Sequence, residues 1–242
     1  MHMNANEGHP TADKVLRQAI TMVIDNEDYN IADNGGQQGM PTVSEIIPTH
    51  PCALEDAADY RATGSLEDAK ALLEDNGYVY EGDTLTKDGQ PIMLKFPADT
   101  ASNAAPEYVA GRLGELGIDV QLDLSDFSTW LPKYDGLEYD LVVGLYDNFG
   151  PLLQYLSIVS GYGGASGTYT NNPEMKGLLD QANTQSGDVQ CETIKEIQRS
   201  QLENADFIPL HAAMTTWASK GWDFDITTSV QFDPTSLRPL GE

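Results

Sequence analysis

Between Ala104 and Leu124 a helix, a glycine stop and an alternating strand follow one another directly, and that succession restricts the chain to α/β folds. Residues 104–116 read as a helix, Gly117 ends it, and Ile118, Val120, Leu122 and Leu124 then alternate as a half-buried strand. The grammar recurs along the chain. DKVLRQAITMVID, from Asp13, carries Val15, Ala19, Ile20, Val23 and Ile24 at helical spacing, and predicts an amphipathic helix packed on a sheet. Ser65-Leu66-Glu67-Asp68 is a capping box with Asp in place of Glu, and it opens a helix over 66–76. Gly77 stands at its C′ position, and Ala69, Leu72 and Leu73 form its buried stripe. Asp88-Gly89 is a hairpin dipeptide that leads into the alternating Ile92, Leu94 and Phe96. The loop from Asp83 to Asp88 lacks the ligand spacing of an EF-hand.

Other segments are read with the same rules. The Gly/Gln/Pro-rich stretch after Asn30 reads as a long irregular loop. A short helix is expected around Phe127–Tyr134. Another starts with Pro173 at N1 and runs to about Ala182, and a long one spans 189–204 with Ile194, Ile197 and Leu202 inward. Phe207-Ile208-Pro209-Leu210 opens a strand, and Thr215–Ala218 is a further short strand candidate. MHMNANEGHP, residues 1–10, has neither the basic flank nor the apolar core of a secretory signal, and reads as a tag remnant or disordered start. The last twenty residues carry few core signals.

Charge decides which functions are out of reach. Thirty-eight acidic against thirteen basic residues give a formal net charge of −25, spread along the chain as a solvated acidic surface. Such a surface repels a phosphate backbone, and no Lys/Arg cluster exists to reverse that, so no nucleic-acid partner is expected. No apolar run reaches 18 residues. Cys52 and Cys191 pair if they are neighbours in space and are isolated thiols otherwise; neither has a CxxC neighbour. Of four histidines, His50 and His211 show no HExxH or metal-type spacing, the chain has no GxGxxG or Walker lysine, and no GxSxG marks a nucleophile. No cofactor, no metal and no enzymatic activity are expected.

The candidate site lies in YDLVVGLYDNFGPLLQY, residues 139–155. Leu141–Leu145 has the length and composition of a buried strand, and a polar break, Tyr146-Asp147-Asn148, follows at once. A carboxylate at the carboxyl end of a central strand is where open α/β sheets place ligand groups. Asp147 therefore leads the candidates, with a turn former or helix cap as its competing role. Tyr146, Asn148 and Phe149 flank it. Trp130, Tyr146 and Phe149 are candidates for apolar pocket walls, with core packing the alternative, above all for Trp130. The glycine-rich loop around Tyr162 and Gly163 either lines the same cleft or is an ordinary surface loop.

Seven motifs in one order, VLRQAITMVID, LEDAKALLEDNGY, DGQPIMLKF, LGELGIDVQLDL, YDLVVGLYDNFGP, GTYTNNPEMKGLLDQA and IKEIQRSQLENADFIPLH, resemble the second half of family 5 solute-binding proteins, the dipeptide/oligopeptide class. The resemblance spans roughly Asp13 to Trp222. It implies a type II periplasmic-binding-protein-like lobe, a mixed sheet flanked by helices, covering residues 11–222, with 223–242 returning toward a first lobe that precedes it. It implies peptide capture for an ABC importer's permease subunits, at the cell surface as a lipoprotein or in the periplasm. In peptide-binding members an Asp after the central strand pairs with the ligand's ammonium, and Asp147 matches that position. Gly150 departs from the acidic residue that often precedes the Pro. An oligosaccharide or other solute is the alternative cargo, and a stand-alone interaction module the alternative role.

Overall fold

The computed structural model describes residues 1–36, 39–143, 152–161, 170, 172–212, 218–226 and 233–240. Helix α1 (Lys14–Val23) forms as expected, with the Asp13 carboxylate accepting from Val15 N, and it buries Leu16, Ala19, Ile20 and Val23. A second helix, α2 (Asn26–Asn34), stands where the loop was expected to begin. Asp25 caps it through Glu27 N and Asp28 N, and Gly35 closes it in the left-handed region. Its sequence, NEDYNIADN, buries only Tyr29 and Asn30, so the apolar period that announces a helix is too thin to read. Beyond it comes the two-residue strand β2 (Met40–Pro41).

Helix α3 (Leu66–Asp75) carries the full reciprocal capping box: Asp68 N donates to Ser65 Oγ, and Ser65 N donates to Asp68 Oδ2. Three antiparallel strands follow, β3 (Tyr78–Glu81), β4 (Thr84–Lys87) and β5 (Gln90–Pro91). Asp88 and Gly89 turn β4 into β5 with positive φ at both positions, as a two-residue turn that matches strand twist requires. Next is a βαβ unit: β6 (Met93–Asp99), α4 (Ala105–Glu115) and β7 (Asp119–Ser125), with β6 and β7 parallel from Met93↔Asp119 to Asp99↔Ser125. Gly117, between α4 and β7, has φ +77°. A Cβ there would sit 2.6 Å from the Asp83 carbonyl oxygen and 2.8 Å from Leu85 N. The Gly117 carbonyl accepts from that same Leu85 N at 2.8 Å, and Tyr80 Oη donates to the Leu116 carbonyl at 3.2 Å, so the hairpin docks directly on the helix end.

Helix α5 (Phe127–Asp135) precedes β8 (Leu141–Val142). β8 lies beside β6 through Asp140 N to the Lys95 carbonyl at 3.0 Å, and its Leu141 and Val142 join different apolar clusters. That two-sided burial is why 141–145 reads as a continuous apolar run; residues 144 and 145 lie outside those described. On its other side β8 pairs antiparallel with β1 (His2–Met3). This corrects the reading of residues 1–10 as a remnant. Met1, Met3 and Ala5 are buried, and Ile208 N donates to the Met1 carbonyl at 2.8 Å. A two-residue strand has no period to detect; the neighbouring strands make it one.

A second apolar core gathers around α6 (Leu152–Val159), α7 (Met175–Asn183) and α8 (Gly187–Glu203), closed by Ile46, Cys52 and Ala53 from the 44–54 loop. Ile194, Ile197 and Leu202 are buried as expected. Pro173 sits in the turn before α7 and not at its first position. Phe207 makes a single bridge to His2, and β9 (His211–Ala212) pairs with β2. Residues 215–217 of the last strand candidate lie outside those described. Near the end, β10 (Trp222–Asp223) pairs with β11 (Arg238–Pro239), and the Arg238 guanidinium reaches Asp223 and Asp225. Among the described residues no helix is long and apolar enough to cross a membrane.

Candidate functional site

Tyr146, Asp147, Asn148 and Phe149 lie outside the described residues, as do Tyr162 and Gly163. What surrounds them in the chain is described. The first group links Val143, just past β8, to Leu152 at the start of α6, and the second follows Gly161 beyond that helix. The two groups thus leave opposite ends of an eight-residue helix, about 12 Å long at 1.5 Å per residue.

The entry into β8 is held by a knot around Asp140. Its Oδ1 lies 2.7 Å from His9 Nδ1, its Oδ2 accepts from Lys95 N at 2.7 Å, and its carbonyl accepts from Asn4 N and Thr11 Oγ1. Asn4 Nδ2 donates to the carbonyls of Leu137 and Tyr139. Both carboxylate oxygens of Asp140 and the Asn4 amide are engaged here, which fixes the phase in which the chain enters β8. The knot was not legible in the sequence because His9 and Asn4 fall in the segment set aside as a remnant. Trp130 takes its core role: it stacks on Tyr134 at 5.1 Å, donates to the Pro97 carbonyl and is 7% exposed.

The 44–54 loop brings a second carboxyl to α6. Gln198 on α8 is 1% exposed and fully engaged. Its Oε1 accepts from Ser44 Oγ and Leu54 N, and its Nε2 donates to the carbonyls of Cys52 and Ile194. Cys52 is also bonded to Cys191 of α8, which answers the question the two cysteines left open. So anchored, the loop carries Glu45, whose carboxyl accepts from the Tyr155 hydroxyl. Burial pushes Glu45 up to about 8, against the opposing effect of that hydrogen bond, and burial with the Glu45 charge raises Tyr155. Glu45 Oε2 has no hydrogen-bond partner among the described residues. At neutral pH that carboxyl therefore holds its proton, a neutral acid beside the Tyr155 hydroxyl. Sequence reasoning missed Glu45, since nothing local distinguishes it from the other acids in loops.

The glycine-rich loop is pinned where it leaves and where it returns. Thr170 Oγ1 donates to the Ser160 carbonyl, Gln201 Nε2 donates to Ser160 Oγ, and Asn172 Nδ2 donates to both Ser200 Oγ and Asp206 Oδ2. Asp206 is buried, and its Oδ1 has no hydrogen bond among the described residues and lies 3.9 Å from Arg17. Burial pushes the Asp206 carboxyl up to about 6, while Asn172, Arg17 and Lys14 pull it down. The native state therefore holds a proton that the unfolded chain has already released between about pH 4 and pH 6. This contribution is full below about pH 4 and is lost as pH rises through about 6. A shift of about two units is worth about 3 kcal/mol. Asp206→Asn should gain about that much on the wild type between pH 4 and pH 7.5, measured by urea unfolding. A difference between the two proteins that does not vary with pH would show that Asp206 is ionised throughout.

Of the two histidines weighed for chemistry, His50 Nδ1 accepts from Cys52 N, and His211 lies 3.3 Å from Asp33 and tilts against Tyr29. Among the described residues no three His, Cys, Asp or Glu side chains are placed to hold a metal ion.

Residues 1–167 match the family model described as bacterial extracellular solute-binding proteins, family 5, middle part. The chain is 25% identical over 215 residues to the oligopeptide-binding protein OppA of Bacillus subtilis, covering 87% of this chain and 39% of that protein. Its fold is similar to AppA of Bacillus subtilis in complex with a nonapeptide, with a TM-score of 0.74 at 19% identity, over 88% of this chain and 44% of that one. It is also similar to a periplasmic oligopeptide-binding protein of Thermotoga maritima with mannohexaose bound, with a TM-score of 0.77 at 20% identity, over 95% and 47%. The chain spans less than half the length of each of these relatives.

Proposed function

Because the chain belongs to the bacterial extracellular solute-binding proteins of family 5, we propose that it is the second lobe of a peptide receptor that hands its cargo to an ABC importer. The observation that supports this most is the family match, which runs through the β8–α6 connection where Asp147 follows the central strand. In this reading a first lobe precedes the chain, residues 223–242 return to it, and the two lobes close on the ligand by a hinge. Asp147 receives the ligand's ammonium, Tyr146 and Phe149 line side-chain pockets, and Asn148, Tyr162 and Gly163 complete the wall. The lobe is not an enzyme, and its ligand leaves chemically unchanged. The receptor sits outside the cytoplasmic membrane, held there as a lipoprotein or free in a periplasm. Main-chain donors and acceptors meet peptide backbones without demanding a sequence, which suits a broad-range carrier.

The test is titration calorimetry on the full-length protein that contains this chain, with a pool of short peptides carrying free amino ends and the same pool N-acetylated. A carboxylate–ammonium hydrogen bond of about 1.5–3 kcal/mol predicts roughly 10- to 150-fold weaker binding of the acetylated pool. Asp147→Asn should remove that discrimination. Equal losses for both pools in the variant would sink the ammonium role. The mannohexaose held by the Thermotoga relative motivates the second reading, an oligosaccharide carrier. Binding of a mannose oligosaccharide with no heat from either peptide pool would favour it.

A further inference from the structure

The formal charge of −25 on 242 residues is the one strong feature that neither the fold nor the ligand reading uses. Most of the basic side chains that would offset it are already engaged. Seven of the thirteen Lys and Arg stand in surface ion pairs, from Lys87 with Asp13 to Arg238 with Asp223 and Asp225. Arg17 and Arg61 point inward to backbone carbonyls. Four lysines, Lys14, Lys70, Lys95 and Lys220, are left against all the other acids. Glu74 and Asp75 close α3 at the negative end of its dipole, with no basic residue in that turn. Glu81, Asp119 and Glu138 are exposed on other elements and make no ion pair among the described residues. The acids are spread along the whole chain and form no single acidic run.

Repulsion between such charges is weak pair by pair in water, but it sums over the whole surface and opposes compaction. Its reach is set by salt: about 10 Å at 0.1 M and about 3 Å at 1 M. We infer that this protein is built for brine, with an acidic shell that requires small hydrated monovalent cations at near-molar concentration to screen it. At low ionic strength the same shell pushes the fold apart.

The experiment is thermal unfolding of the 242-residue chain, followed by circular dichroism, from about 0.05 M to about 2 M sodium chloride. The midpoint is expected to rise on the order of 10 °C across that range. A variant with Glu74→Gln, Asp75→Asn, Glu81→Gln, Asp119→Asn and Glu138→Gln separates screening from general salting-out of apolar surface. It should start from a higher midpoint at low salt, respond less to added salt, and meet the wild type at high salt. A chain that unfolds in low salt and refolds on adding salt supports the proposal equally. A midpoint constant within about 2 °C overturns it. So does a wild-type salt response in the variant, or the lack of any folding transition up to the highest salt.

Discussion

Arg17→Met should destabilise the fold by about 3–5 kcal/mol, the range for removing one partner of a buried charged network. The residue is 4% exposed on α1, and its guanidinium ties three parts of the chain together. Nε donates to the Ala205 carbonyl at 3.0 Å, and Nη2 donates to the Asn204 carbonyl at 2.9 Å, both just past the end of α8. Nη1 donates to the carbonyls of Thr11 and Ala12, in the turn before α1. A cation at a helix C-terminus also answers the helix dipole. Without it, four carbonyls, two of them in fully buried hydrogen bonds, lose a donor and the 3.9 Å contact to Asp206 disappears. Urea midpoints give the loss directly, and a thermal midpoint lower by roughly 10 °C should accompany it. Arg17→Lys separates charge from geometry. An ammonium cannot serve carbonyls on both sides of the fork, so Lys should recover only a minor part. Full recovery by Lys, or a loss under about 1 kcal/mol in Arg17→Met, would mean that the two cores are joined elsewhere.

Loss of the Cys52–Cys191 bond should be the second large effect. It closes a loop with a sequence separation of 139 residues. Chain entropy alone sets its contribution near 5 kcal/mol, and bonds of this kind deliver about 2–4 kcal/mol. The double variant Cys52→Ala, Cys191→Ala should lose that amount relative to the oxidised wild type. Adding a reductant to the wild type should reproduce the loss, and the variant should ignore the reductant. Local opening should come first around 44–54, because only the Gln198 hydrogen bonds, the Glu45–Tyr155 contact and the packing of Ile46 and Ala53 then hold the loop. Limited proteolysis that cuts this loop in the variant before it cuts α1 or the β6–β7 pair would report that order. Equal stability of oxidised and reduced wild type would show that the loop is held by its hydrogen bonds and apolar contacts alone.

These two predictions rest on residues whose partners sequence reasoning could not fix. Arg17 was one polar position in an amphipathic helix, and the cysteines were open between a pair and two isolated thiols. The candidate site divides in the same way. Asp147 and its neighbours are proposed from a strand-then-polar-break pattern written in adjacent letters, and they lie outside the described residues. Asp140, His9, Asn4 and Glu45 have no such pattern, because their partners lie 45 to 135 residues away or, for Glu45, on another helix.

The local pieces were legible in the letters: the Ser65–Asp68 box of α3, the Asp88-Gly89 turn and the α4–Gly117–β7 succession, and with them the α/β class. Each depends on φ/ψ preferences and hydrogen bonds within a few residues, so each is written in adjacent letters. The folded chain, not its letters, decided that His2–Met3 is a strand, that Cys52 meets Cys191 and that Arg17 meets the end of α8. It also decided which few of 38 acids are driven out of water. Burial raises the free energy of an unpaired polar group wherever it occurs, and the partner that relieves it can come from any point in the chain.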